Sequence, residues 1–375
     1  LRSAPILSDS STGIPILSLE AVSKRYGSRI ALDGITLDVA DDSYVSLLGA
    51  SGSGKTVLLR AIAGFEPLDG GTIALRGEPL SDRPAHRRNI GFVFQNFALF
   101  PHLTVQQNIA FGLENRAADR PSARLVAERV RAMVDLVGLS GLESRAVTAI
   151  SGGQRQRVAL ARTLVAEPTL VLLDEPLGAL DANLRARMCG ELRRIRERLG
   201  VTFLHVTGSE TEALAMGDEV VVLDAGRIAQ IGAPDTVYGR PADAAVAKFL
   251  NCYNMFAGRP GPASFETEGA RLPVRGMPEP RSGAVYAIRH DLIAVRPIDA
   301  AVEEAEARLT GDFLASEYSG PAVTSFFRLP SGTVVTVEDH LSHREPQLFE
   351  PGRAYGLVWR AADALVLPAR EASRA

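Results

Sequence analysis

The 375-residue chain shows two textures of apolar and polar positions that meet near residue 250. Before that point, short unbroken apolar runs alternate with helical periodicities. Tyr44-Val45-Ser46-Leu47-Leu48 predicts a short buried strand. Thr169-Leu170-Val171-Leu172-Leu173 predicts a strand buried on both faces of a parallel sheet. Further strand-like runs begin near Ile16, Ile35 and Ile73, and lie near residues 203 and 220. Val57-Leu58-Leu59-Arg60-Ala61-Ile62-Ala63 predicts a helix start. From about 103 to 165 the period is helical, with Leu125, Val126, Val130, Met133, Val134 and Val137 on one stripe. Leu184, Met188, Leu192, Ile195 and Leu199 recur at steps of four, four, three and four, and predict a helix with a core-facing stripe. Val246, Phe249 and Leu250 predict a closing helix. After residue 251 Pro and Gly become frequent, at Pro260, Gly261, Pro262, Pro273, Gly276, Pro278, Pro280 and Gly283. Alternating runs follow, among them Val323–Leu329 and Thr333–Val337, and predict the short strands of a small barrel.

Between the strand at 44–48 and the helix from 57 lies Gly-Ala-Ser-Gly-Ser-Gly-Lys-Thr, residues 49–56, which fits G-x-x-x-x-G-K-[ST]. Strand, glycine loop and helix form the context that phosphate binding requires. Gly49, Gly52 and Gly54 let the backbone turn tightly and approach phosphate oxygens. The N–H groups of Ala50, Ser51, Ser53 and Val57 and the helix N-terminus then face the anion. Lys55 reaches the outer phosphates, and the Thr56 hydroxyl is offered to Mg²⁺. The ordinary alternative is a glycine turn before a helix. The second apolar run ends in Asp174-Glu175-Pro176, at the strand edge where parallel sheets bind ligands. Asp174 suits the Mg²⁺ shell, and Glu175 suits a general base for an attacking water. Alone, such an acidic pair is more often a turn.

Residues 150–157 read Ile-Ser-Gly-Gly-Gln-Arg-Gln-Arg and lead into a helical stretch. On this motif the chain resembles the ATP-binding subunits of ABC transporters, whose signature is Leu-Ser-Gly-Gly-Gln; Ile150 is a conservative departure. The resemblance implies an α/β P-loop nucleotide-binding domain with an inserted helical subdomain, followed by an all-β OB-like C-terminal domain. It implies a head-to-tail homodimer in which Ser151, Gly152, Gly153 and Gln154 of one subunit meet the γ-phosphate held by the other. Ser151 is equally a plain helix N-cap. Tyr26 matches the aromatic that stacks on adenine, or else it is a packed strand-end tyrosine. Gln95 matches the glutamine that reaches Mg²⁺ and water, or else it is a solvated loop residue. Asp181 matches a loop that communicates across the dimer, or else it only caps the next helix. Phe97-Ala98-Leu99-Phe100-Pro101-His102-Leu103-Thr104 has exposed-loop character and matches a groove that receives a membrane subunit's helix.

One position departs from the family. The switch histidine is expected after the strand Val201–Thr207, and the chain has Gly208, then Ser209. His205 is a candidate substitute, but strand side chains alternate faces, so it points away from the parity of position 208 and lies about 10 Å back along the strand. A packed strand histidine is the better reading. A missing donor costs about 10²–10³ in rate in comparable preorganised sites. The remaining motifs are intact, so a working but slower ATPase is expected.

Composition narrows the picture further. The 41 basic and 44 acidic residues nearly balance, which gives no electrostatic footprint for nucleic acid. Arg193, Arg194, Arg196 and Arg198, with Glu191 and Glu197, read as a solvated helix face. Cys189 and Cys252 lack metal-ligand spacing and suit a reducing compartment. Asp339, His340 and His343 read as a polar loop rather than a metal site. No apolar stretch approaches 18 residues. Residues 1–15 read as a loose tail, 16–250 as the ATPase domain with its helical subdomain at about 103–165, and 251–375 as the OB-like domain, where Ala287-Ile288-Arg289-His290-Asp291 resembles a stretch of transport-associated domains.

Taken whole, the chain resembles spermidine/putrescine importer ATPases, with ferric-iron and sugar importer ATPases as close alternatives. That resemblance implies ATP and Mg²⁺ as ligands. It implies membrane permease subunits and a separate binding protein as partners, and a place at the cytoplasmic face of a bacterial inner membrane. Two other classes fit less of the chain. A soluble repair or translation ABC ATPase lacks support, because paired cassettes and long coiled coils are missing. A nucleotide-gated regulatory module has only Gly208 in its favour.

Overall fold

The computed structural model describes residues 13–369 except 116–119, 179, 262–263, 268, 275–282, 304 and 343–344. The tail at 1–12, Ala179, Pro262, Gly276, Pro278, Pro280 and His343 lie outside the described residues. The chain divides into two compact units, Leu1–Asp235 and Thr236–Ala375.

The first unit runs β1 (Leu17–Tyr26), β2 (Arg29–Val39), β3 (Tyr44–Leu48), α1 (Lys55–Ala63), β4 (Gly70–Leu75), β5 (Glu78–Pro79), β6 (Ile90–Val93), α2 (Val105–Glu114), α3 (Ala123–Leu136), α4 (Gly152–Leu164), β7 (Leu170–Asp174), α5 (Ala182–Leu199), β8 (Thr202–Thr207), α6 (Glu210–Met216), β9 (Glu219–Asp224) and β10 (Arg227–Gly232). A six-stranded sheet has the order β10-β9-β3-β8-β7-β6. Its strands pair in parallel except β10 with β9. Every residue of β3, β7 and β8 is buried, as unbroken apolar runs require of strands covered on both faces. One face carries Val45, Leu47, Leu172, Leu204 and Val206 into a core with Leu58, Leu59 and Ile62 of α1 and the antiparallel sheet β2-β1-β4-β5. The other carries Tyr44, Val171, Leu173 and Phe203 into a core with Met188, Leu192 and Ile195 of α5 and with α2, α3 and α4.

The helical stripes are only partly as expected. Val126, Val130, Val134 and Val137 are buried, but Leu125 is exposed, because it leads the stripe by one position. Leu184 is half-buried and Leu199, in the last turn of α5, is exposed. Arg196 leaves the solvated face to meet Asp42 at 3.2 Å and Asp218 at 3.6 Å. Phe97 is not part of an exposed loop. It turns into the core at 9% exposure, and Phe100 packs on Phe111 with ring centres 4.2 Å apart and planes tilted by 36°. Arg162 of α4 donates to the carbonyls of Phe97 and Ala98 at 2.9 and 2.7 Å, and so satisfies a segment held in the left-handed region.

After α7 (Pro234–Gly239) comes α8 (Ala244–Phe249), then β11 (Tyr253–Ala257), β12 (Arg259–Pro260), β13 (Ser264–Thr267), β14 (Ala270–Pro273), β15 (Ala284–Arg289), β16 (Ala294–Pro297), β17 (Glu306–Tyr318), β18 (Ala322–Arg328), β19 (Val334–His340), β20 (Ala354–Arg360) and β21 (Leu365–Pro368). The expected closing helix is α8, but it packs against β11 and β15, so it groups with the second unit. All strand pairs of this unit are antiparallel, in sheets ordered β11-β15-β21, β12-β13-β14 and β16-β20-β17-β18-β19. Phe256, Phe265, Tyr286, Phe327 and Trp359 centre its core, where the Trp359 indole donates to the Tyr286 hydroxyl at 2.8 Å. Asp339 and His340 are not a polar loop: they end β19, paired with Val323 and Ala322. Among the described residues no helix is long and apolar enough to cross a membrane.

Candidate nucleotide site

β3 and β7 flank β8 in the sheet, so the loop after Leu48 and the acids after Leu173 emerge side by side at the carboxyl edge. Gly52 and Gly54 have φ of 82° and 104°, which a side chain rarely adopts. Gly49 has a different reason to lack a side chain. A Cβ there would run into the carbonyl oxygen of Leu223 on β9, so packing as well as phosphate approach requires glycine.

Lys55 is buried, and its ammonium donates to the carbonyls of Gly49 and Ala50 at 2.7 and 2.9 Å. An ammonium carries three donors, so it can meet a phosphate oxygen while keeping both loop bonds. Burial pulls its pKa below the usual lysine value, while Glu175 and Asp174 oppose that shift. Thr56 Oγ1 donates to Asp174 Oδ1 at 3.1 Å. Burial raises the Asp174 pKa, and the Glu175 charge adds to the rise, while the Thr56 bond pulls it down. Gln95 Nε2 donates to Glu175 Oε2 at 3.0 Å. This leaves the Gln95 carbonyl oxygen, the Thr56 hydroxyl and the Asp174 carboxylate as hard oxygen donors, a set that fits Mg²⁺. Glu175 itself sits at φ 44°, with its N–H on the Val206 carbonyl at 3.0 Å. A strained residue held this way has a fixed side-chain origin.

A cleft of about 310 Å³ opens here, lined by Tyr26, Arg29, Ala31, Ser51, Gly52, Gly54, Lys55, Thr56, Val57 and Glu175. Tyr26 is 46% exposed, with the Lys24 ammonium 5.4 Å from its ring centre, so it is not a tyrosine packed away at a strand end. Burial raises the Tyr26 pKa, helped by a hydrogen bond with Glu66. Arg29 and Ala31 also line the cleft, and no sequence motif marks them.

The remaining candidates lie elsewhere. None of Ser151, Gly152, Gly153, Gln154 or Asp181 lines the cleft. Ser151 caps α4: its hydroxyl accepts from Gln154 N at 3.3 Å, and its own N–H reaches Gln154 Oε1 at 2.8 Å. Asp181 caps α5 by accepting from Leu184 N at 2.9 Å. His205 is fully buried on the face opposite Leu204 and Val206, with Nδ1 3.3 Å from the Tyr44 hydroxyl. Burial brings its pKa down to about 3, so it is neutral at pH 7. Gly208 is exposed, and a Cβ built there meets nothing within 4 Å.

The ABC transporter family matches residues 32–178, and the TOBE domain family matches residues 293–367. A Fe(3+) ions import ATP-binding protein of Streptomyces avermitilis is 40% identical over 353 residues, 94% of this chain and 98% of that protein. A sulfate/thiosulfate import ATP-binding protein of Caulobacter vibrioides is 43% identical over 290 residues, 77% of this chain and 83% of that protein. A spermidine/putrescine import ATP-binding protein of Marinobacter nauticus is 39% identical over 337 residues, 88% and 89% of the two chains. Among solved structures, a dimeric ATP-binding cassette in a post-hydrolysis state bound to ADP and Pi aligns with a TM-score of 0.52 at 28% identity, over 58% of this chain and 98% of that one. The chain therefore belongs to the ABC transporter family, as the ATP-binding subunit of an importer: an ABC-type ATPase followed by a TOBE domain.

Proposed function

We propose that the chain hydrolyses ATP at a site shared between two copies, and that closure and reopening of this dimer drive a membrane permease. The single observation that carries the reading is the pair of bonds Thr56–Asp174 and Gln95–Glu175 beside the phosphate loop. Lys55 and the N–H groups from Gly49 to Val57 hold the outer phosphates. Tyr26 offers its exposed ring to the adenine. Glu175 takes a proton from the attacking water, and Gln95 orients that carboxylate. Thr56, Asp174 and Gln95 would hold Mg²⁺, whose charge would offset that of the phosphates. Ser151 and Gln154 sit outside the cleft, at the capped N-terminus of α4, which suits contact with a nucleotide held by the partner subunit. Asp181 belongs to the same dimer-facing set. Measured ATP turnover tests this reading: loss of turnover in Glu175→Gln with ATP binding intact supports it, and unchanged turnover sinks it.

The partners in this reading are a second copy, permease subunits that seat a helix near Phe100, and a separate binding protein. The place is the cytoplasmic face of an inner membrane. The proposed cargo is a polyamine, with ferric iron or a sugar as the alternatives. Relatives named for Fe(3+) and for sulfate/thiosulfate stand at 40% and 43% identity, against 39% for the spermidine/putrescine relative, so identity does not separate the three. Stimulation of the assembled transporter's ATPase by spermidine, ferric ion or sulfate, each with its binding protein, assigns the cargo. The open, side-chain-free position 208 favours one other reading, a weakly hydrolysing regulatory module, and near-zero turnover of the complete transporter would select it.

A further inference from the structure

Glu212 is a buried carboxylate, 4% exposed, that the catalytic scheme does not use. It lies on α6, one turn beyond the switch position. Thr207 Oγ1 donates to its Oε2 at 2.8 Å. The same Thr207 oxygen accepts from Ser209 N at 3.0 Å, and Ser209 Oγ accepts from Glu212 N at 3.3 Å. These three bonds close a ring around residue 208. Gly208 contributes no side chain, so its placement is set by its two neighbours, both of which answer to Glu212.

The other Glu212 oxygen faces a different element. Arg185 Nε lies 3.3 Å from Oε1, and Arg185 Nη2 donates to the carbonyl of Leu180 at 3.0 Å. Arg185 sits in the first turn of α5, which Asp181 caps. One arginine thus spans the Leu180 carbonyl, just ahead of α5, and the Glu212 ring. His205 Nε2 is 3.8 Å from Glu212 Oε2, but it is buried and neutral, so Arg185 is the cation that balances the carboxylate. Removing Arg185 would leave a buried carboxylate without its cation, which is strongly disfavoured.

We propose that Arg185 and Glu212 are positioning residues that couple Leu180 and Asp181, ahead of α5, to the switch segment Thr207–Ser209, so that position 208 moves with these dimer-facing residues. The proposal rests on the roles given above to Asp181 and to the switch. It places no new group on the nucleotide: the pair acts by transmitting the position of one segment to the other.

The test uses the full chain and the variants Glu212→Gln and Arg185→Met, the second being only half-buried and so less prone to misfold. Amide hydrogen exchange is read at 180–181 and at 207–209. Coupling predicts that either variant accelerates exchange in both segments together, by about tenfold or more if one such link is lost. Acceleration in only the segment next to the altered residue overturns the proposal. This readout needs no turnover, so it stands even if the hydrolytic reading fails. In turnover, Glu212→Gln should lower kcat several-fold with KM within twofold. It should also erase any gain that Gly208→His gives in the unaltered background, and Arg185→Lys should restore more activity than Arg185→Met. A purely structural pair would lower Tm while leaving kcat and the Gly208→His gain intact, and that result also overturns it.

Discussion

Restoring an imidazole at position 208 is the sharpest perturbation available. Most insertions of a histidine cost packing or backbone strain. Here a Cβ meets no heavy atom within 4 Å, and Gly208 is not among the residues with positive φ. Replacing glycine where the backbone is ordinary stabilises by about 0.4–1 kcal/mol through the unfolded chain. Fold stability therefore does not oppose Gly208→His. Its site does favour chemistry: Thr207 ends β8, whose neighbour β7 ends at Asp174, and the Glu175 N–H is bonded to the Val206 carbonyl. Removing one preorganised donor from such a site costs about 10²–10³ in rate. An added side chain has not been oriented by its surroundings, so a gain of about tenfold, or about 1.4 kcal/mol of barrier, is the expected share. The assay is steady-state phosphate release under saturating MgATP, with KM followed separately. His205→Ala is the control. That side chain is sealed on the opposite face beside Tyr44, so its loss should affect stability while leaving kcat within about threefold in folded protein. Gly208→His without effect, together with His205→Ala abolishing turnover in a folded chain, would refute the reasoning and make His205 the switch residue.

Three further outcomes are expected. Lys55→Ala should weaken ATP binding by at least tenfold, because the buried ammonium is the point charge at the loop, whereas Glu175→Gln should keep binding and lose turnover; equal affinity of Lys55→Ala and the unaltered chain in equilibrium titration would refute the loop assignment. A chain ending near Asp235 should bind MgATP with a Kd within about threefold of the full chain, since every nucleotide motif precedes it, and a well-folded truncation that fails to bind would show that the division of labour is wrong. Burial depresses His205 to about 3, so below pH 6.5 the unfolded chain takes up a proton at this position that the folded chain refuses, and stability falls toward acid by up to about 1.4 kcal/mol per pH unit. Burial raises Glu212 and Asp174, whose linkage has the opposite sign and offsets part of that loss just above the ordinary carboxylate range. His205→Asn should flatten the urea midpoint between pH 6.5 and 5, and an unchanged slope would refute the assignment.

Strand, glycine loop and helix at 44–63 were legible because burial on both faces, φ-permissive glycines and helical period are local signals. The caps at Ser151 and Asp181 were legible for the same reason: each oxygen bonds an amide three residues on. Contacts that join distant segments left no such trace. Arg29 in the cleft, Arg162 holding the Phe97 and Ala98 carbonyls, and Arg185 on Glu212 all depend on how the fold brings elements together. Period alone also misjudged stripe edges: Leu125 and Leu199 keep the spacing yet face solvent, because a helix buries an arc rather than every position in register. The place of α8 failed similarly, since its buried Val246 and Ala247 have no sequence mark that says which unit they cover.

The central claim is a nucleotide site completed by a second copy, with the phosphate loop from one subunit and Ser151–Gln154 from the other. Mixing two inactive variants tests it most directly. Lys55→Ala lacks the loop charge but keeps its signature, and Ser151→Glu keeps the loop but repels the partner's phosphate. Each mixed dimer holds one complete site, so an equimolar mixture should recover about a quarter of the unaltered turnover, with half the dimers mixed and one site of two competent in each. Turnover no greater than the sum of the two variants measured apart would contradict the account.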